Sequence, residues 1–222
     1  MREKNWPEAI LHWTVLRNAY PKHPAPWIQG AVAHIEAGEL KEAEALLVYA
    51  RQHFPNHASS LTESASLAMH QQQWEIAKAY LQQAREKHPE VMQTWLKSAE
   101  YAEYQGDLKQ AAEYFEKACE YAPDQPGPLI QYAELFMRAR QWEQALKAWE
   151  ALRNHFPNIA GGYLRAAEAA RQLNRPKEAR QLLLVHQYGT DILSSDSTNK
   201  NTAKQRSGNT NLGGLLELIW TK

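Results

Sequence analysis

Cysteine is almost missing from this chain of 222 residues; Cys119 stands alone, so no disulfide can form within it. A lone thiol suits a reducing compartment, and the cytoplasm is the expected location. Long apolar runs are missing as well. None approaches the ~18 residues of a membrane-spanning helix, so no membrane span is expected. Residues Met1 to Leu16 are broken by Glu3, Lys4, Glu8 and His12 and lack the apolar centre of a secretory leader. Charge of one sign is missing too. The 25 Lys and Arg residues match 25 Asp and Glu residues, which disfavours a basic surface for nucleic acid or anionic membrane. Signatures of catalysis do not occur: there is no glycine-rich phosphate loop, nucleophile elbow or zinc-type Cys/His spacing. His53 and His57 stand near each other, but Pro55 separates them, and zinc needs three or four convergent ligands. The expectation is a non-enzyme without catalytic residue, metal or cofactor. Hydrophobic residues at 44% and charged residues at 23% exclude wholesale disorder.

What the chain does have is a period. Pro21, Pro55, Pro89, Pro123 and Pro157 follow one another at steps of 34 residues. Ala9, Ala43, Ala77, Ala111, Ala145 and Ala179 keep the same step, as do Ala31, Ala65, Ala99, Ala133 and Ala167. Large residues repeat with them: Trp13, Leu47, Leu81, Phe115, Trp149 and Leu183, then Trp27, Leu61, Trp95, Leu129 and Tyr163. Each unit reads as two helices. In the first, Trp27, Ala31, His34 and Ile35 share a helical face until Gly38 breaks it. In the second, Leu40, Ala43, Leu47 and Ala50 form a stripe that Pro55 closes. Small alanines let helix backbones approach while large residues fill the grooves. One unit cannot bury its own stripe, but stacked neighbours can. A longer period of 68 also shows, because Gly38-Glu39-Leu40-Lys41 answers to Gly106-Asp107-Leu108-Lys109. Seven of the eight tryptophans fall in repeat columns and read as packing residues.

These columns resemble the tetratricopeptide repeat family, whose units are helix–turn–helix pairs of this length. Leu61, Ser64, Ala65, Ala77, Leu81, Ala84 and Pro89 carry the pattern in one unit; Trp95, Ser98, Ala99, Ala111, Phe115, Ala118 and Pro123 carry it in the next. Alanine replaces the glycine common in the family's first helix. The resemblance implies an all-α fold, an α-α solenoid following a right-handed superhelical arc. The array is expected over residues 1–188, with a half unit at 4–21 and units at about 24–57, 58–91, 92–125, 126–159 and 160–188, the last degenerate. Pro176 opens the final helix, a position proline tolerates. Residues 189–222 form a polar tail expected to be flexible, ending in an apolar run from Leu212 to Trp220.

In the family the first helices line a concave face that binds peptides. Carried over, that face offers Ile28, Val32, Ile35 and Met69 as an apolar end, and a line of glutamates, Glu100, Glu134 and Glu168, towards the other end. Glu103, Tyr104, Met137, Arg138 and Arg171 share the same helices. Lys97, Arg138, Arg165 and Arg171 neutralise part of the glutamate line. The expected function is a non-catalytic interaction scaffold that binds a protein or peptide with basic residues. Chaperone-binding members use a clamp of lysines, arginines and asparagines, where this chain carries Ile28, Val32, Thr62 and Glu63, so a chaperone's acidic tail is disfavoured. The asparagine ladder of sugar-transferring relatives is missing. Cys119 stands in a column of arginines, Arg17, Arg51, Arg85 and Arg153, which reads as outward-facing.

A second reading makes these repeats a regulatory or substrate-recruiting segment of a larger enzyme. The Trp-rich helices with Phe54-Pro55 and Phe156-Pro157 endings resemble units that precede catalytic domains in some bacterial glycosyltransferases and sulfotransferases. The opening half unit and the change of composition near Gly189 favour a fragment under that reading. Oligomeric state stays open, with Trp13, Leu16 and the final apolar run as possible contact surfaces.

Overall fold

Two alanine columns and one column of large residues set how the helices meet. The computed structural model describes residues 5–188; the polar tail at 189–222 and its apolar run lie outside the described residues. Eleven helices follow one another there: α1 (Trp6–Ala19), α2 (Pro24–Ala37), α3 (Leu40–His53), α4 (Ala58–His70), α5 (Trp74–Lys87), α6 (Met92–Tyr104), α7 (Leu108–Tyr121), α8 (Pro126–Arg138), α9 (Trp142–His155), α10 (Ala160–Gln172) and α11 (Pro176–Tyr188). They pack as hairpins α2/α3, α4/α5, α6/α7, α8/α9 and α10/α11, with α1 against α2. Ala43, Ala77, Ala111 and Ala145 are fully buried, and Leu47, Leu81, Phe115 and Trp149 fill the space beside them. Each of these large side chains contributes about 1.5–3 kcal/mol by leaving water.

The same physics ends each helix. Second helices stop at Tyr20, Phe54, His88 and Phe156, each before a proline. Proline's ring disfavours helical backbone in the residue ahead of it, and these residues adopt φ near −130° with ψ near +60°. Trp27 and Trp95 then staple two of the turns: their Nε1–H groups donate to the carbonyls of Pro21 and Pro89 at 3.0 and 2.6 Å. First helices end in a left-handed residue at Gly38, Gln72, Gly106, Arg140 and Asn174, with φ from 56° to 80°. The N–H of the following residue reaches back five positions, as from Gln73 to the Ala68 carbonyl at 2.8 Å, which satisfies the last carbonyls of the helix.

The arginine column does not face outward. Arg17, Arg51, Arg85 and Arg153 are half-buried at the junctions between units. Arg51 donates to Ser64 Oγ, Arg85 donates to Ser98 Oγ at 2.8 Å, and Arg153 donates to the Gly162 carbonyl at 2.9 Å. Their guanidinium groups also lie over Tyr80, Tyr114 and Tyr163 at 4.9, 5.0 and 5.8 Å. A long arginine stem buries well while its planar head stacks on a ring, and that outweighs the preference of its charge for open solvent. At the fourth junction the sizes invert: Cys119 is half-buried, and Tyr132 occupies the column of Gly30, Ser64 and Ser98. On α1 no residue is buried; Leu11 and Val15 are exposed, as is Tyr20 just past its end.

Candidate functional site

The first helices α2, α4 and α6 lie side by side, and residues one helical turn apart on each build a common wall. Val32, Ile35 and Glu36 of α2, Glu63, Ser66, Met69 and His70 of α4, and Lys97, Glu100 and Tyr104 of α6 enclose a pocket of about 380 Å3, completed by Gln72 and Trp74. The structure therefore brings together five residues expected at a binding face: Val32, Ile35, Met69, Glu100 and Tyr104. Ile28 is not among them. It is 1% exposed, because its column, continuing through Thr62 and Leu96, packs between adjacent first helices. Leu164 stands at the last position of that column and is exposed.

Charge in the pocket is not balanced. Lys97 Nζ donates to Glu100 Oε2 at 3.0 Å. Burial pushes the Glu63 carboxyl above its ordinary range, while Lys97 and a hydrogen bond from Ser66 pull it down and Glu100 adds to the upward push. Burial lowers the Lys97 ammonium, but the attraction of Glu63 and Glu100 outweighs it and leaves the group above its usual value. The rings of Trp74 and Tyr104 lie with centroids 6.0 Å apart and planes tilted by 39°.

Further along, the glutamates are paired across units. Arg138 holds Glu103 with two parallel hydrogen bonds of 2.5 and 2.8 Å. Arg165 holds Glu134 in the same way, at 2.7 and 2.5 Å, and also donates to Glu168. Met137 is buried and Arg171 is exposed. Among the described residues no group of three His, Cys, Asp or Glu side chains could hold a metal ion. No helix among them is long and apolar enough to cross a membrane.

Two profiles, both described as tetratricopeptide repeat, match residues 62–126 and 103–166. The chain is a tetratricopeptide repeat protein. No curated protein matches it significantly. Its backbone is similar to solved tetratricopeptide arrays. One is in the Cut9–Hcn1 hetero-tetramer of the APC/C, with a TM-score of 0.61 and 16% identity, covering 86% of this chain. This chain spans 38% of that one's length. Another is YrrB, described as a tetratricopeptide protein with an unusual peptide-binding site: TM-score 0.51, 15% identity, 84% of this chain and 97% of that one. A third is PilF of Pseudomonas aeruginosa, with a TM-score of 0.56 and 18% identity, covering 89% of this chain and all of that one. At such identities the likeness establishes the solenoid and nothing about ligands.

Of the pocket residues that were not among the expected binding residues, Glu63 and Trp74 are the most telling. Glu63 belongs to the column Gln29, Glu63, Lys97, Gln131 and Arg165, whose change of sign between adjacent units was the available signal. Trp74 opens α5 and reads as packing, yet it also forms part of the pocket wall. The cross-unit pairs follow a spacing rule too. Glu134 to Arg165 is 31 residues and Glu103 to Arg138 is 35, one repeat shifted by about a helical turn or by one residue.

Proposed function

We propose that this tetratricopeptide array is a non-catalytic scaffold, a half unit followed by five units, that holds a protein or peptide partner along its first helices. The pocket between α2, α4 and α6 carries the reading, because it joins apolar walls, aromatic rings and charged groups on a single face. Concave sites that combine apolar and aromatic walls with convergent polar groups are where ligands bind. The carboxylates favour a partner with basic residues and disfavour nucleic acid. The unpaired Cys119 supports a cytoplasmic setting.

The test uses the purified full chain and peptides selected on it from a random display library. Amide exchange of the complex should show added protection on α4 and α6. Changing Glu100, Glu134 and Glu168 together to lysine should weaken binding, and added salt should weaken it further, since exposed charges are screened over about 8 Å at physiological ionic strength. Protection confined to the second helices, or unchanged affinity of the triple variant with unchanged helicity, overturns the proposal.

A further inference from the structure

The pocket's charge arrangement says more about its ligand than that it binds one. Glu63 and Glu100 stand on adjacent first helices and line the pocket with Lys97, whose ammonium is paired with Glu100. Two carboxylates against one ammonium leave the inner wall with a single formal negative charge. Beside this cluster Tyr104 is 65% exposed, although most of a tyrosine ring gains by burial. Its ring and that of Trp74 meet at an open angle, and the thioether of Met69 lies in the same wall. Elsewhere the array stacks guanidinium groups on tyrosine at 4.9 and 5.0 Å, so rings in this fold accept such a contact readily.

We infer that this pocket receives one basic side chain, arginine or lysine, from the bound peptide. This deepens the groove reading and rests on it. The methylene stem lies against Trp74 and Tyr104, where its apolar length is covered while the head stays polar. The charged head reaches Glu63 and Glu100, turning two carboxylates around one cation into two around two. The other ligand chemistries fit worse. A carboxylate would meet two carboxylates and a lysine already paired. An apolar side chain would take solvent from Glu63 and Glu100 without giving them a partner, which is costly for a charged group.

The experiment is selection of random dodecapeptides on the immobilised full chain, then affinity by fluorescence anisotropy with a synthesised winner. The selected peptides should share arginine or lysine at one position. Replacing that residue by citrulline or acetyl-lysine should weaken binding at least about ten-fold, the scale of a charge-assisted hydrogen bond. Glu63→Gln and Glu100→Gln should abolish the discrimination between the charged and neutral peptides. Tyr104→Ala, an exposed change that leaves the core intact, should weaken the charged peptide while thermal unfolding stays the same. If winners are acidic or uncharged, and amide exchange still maps them to α4 and α6, the groove reading stands and this inference falls. If the winners carry the basic residue but bind Glu63→Gln and Glu100→Gln with full discrimination, the pocket assignment is wrong. If nothing is enriched, or protection lies elsewhere, both readings fall.

Discussion

The left-handed column at the turn between helices gives a prediction whose size follows from backbone geometry. Gly38 and Gly106 occupy it with φ of 80° and 75°, while Gln72, Arg140 and Asn174 occupy it with φ of 56° to 58°. For a residue with a β-carbon this conformation costs about 1–2 kcal/mol. Glycine avoids that cost but loses about 0.4–1 kcal/mol through its freer unfolded chain. The difference leaves Gln72→Gly and Arg140→Gly each about 0.5–1 kcal/mol more stable than the parent. The two sites lie two units apart, so their gains should add. Asn174 tolerates this region better than most residues, and Asn174→Gly should change stability little. The converse isolates the cause. Nothing lies within 4 Å of a β-carbon built on Gly38 or Gly106, so Gly38→Ala and Gly106→Ala would lose stability through backbone conformation and not through a clash. Urea titrations followed by circular dichroism, fitted with a nearest-neighbour repeat treatment, should rank the variants in that order. Equal effects at Gln72 and Asn174, or a loss on placing glycine at Gln72, would refute the reasoning.

Three further outcomes follow from charge and burial. His57 is held below the ordinary histidine value of 6.5 by burial and by His88 and His23; the unfolded chain therefore takes up the proton first, and stability should fall as pH drops through that value and level off below the folded pKa. His57→Gln should flatten that part of a stability-against-pH curve. Burial raises the Glu63 carboxyl, so its ionised form costs stability as pH rises above the unfolded value of 4.5; Glu63→Gln should match or exceed the parent in urea midpoint at pH 7, with the advantage shrinking towards pH 4. The Cys119 thiol is pushed up to about 11 by burial, with Glu116 and Glu120 adding to it. Its iodoacetamide reaction at pH 8 should run roughly ten-fold slower folded than in urea, since scarce thiolate is only partly offset by higher nucleophilicity. Equal rates in the two states would mean that the thiol is not held this way.

The solenoid was legible because stacking asks the same thing of every unit. A fully buried alanine such as Ala77 and a filler such as Leu81 must return wherever two helices cross, so the period carries the packing. The turn was only half legible. Gly38 and Gly106 announce the left-handed residue, whereas Gln72 and Arg140 adopt it because the back-reaching hydrogen bonds of the helix end outweigh a local preference. The arginine column misleads for a related reason: charge suggests solvent, but Arg85 spends its stem on packing and its head on Ser98 and Tyr114. Ile28 misleads in the opposite sense, since an apolar first-helix residue can serve the neighbouring helix instead of a ligand.

A site asks for the reverse of a repeat. It needs residues that differ from their column, and its partners sit at offsets from the period. Glu63 stands where other units carry Gln29 or Gln131, and Trp74 and Tyr104 face each other from α5 and α6. The cross-unit glutamates divide on the same principle. Glu103 and Glu134 have an arginine one repeat away, shifted by one residue or a turn, and each closes into a two-point ion pair. Glu100 has Gln131 at the offset that links Glu134 to Arg165, so it turns instead to Lys97, which Glu63 also attracts. The departure from the ladder at that one step is what leaves negative charge in the pocket. An unbroken ladder would pair each of these glutamates with an arginine of the next unit; the break at Gln131 leaves Glu100 to Lys97 on its own helix, and that is the step on which the proposed basic side chain depends.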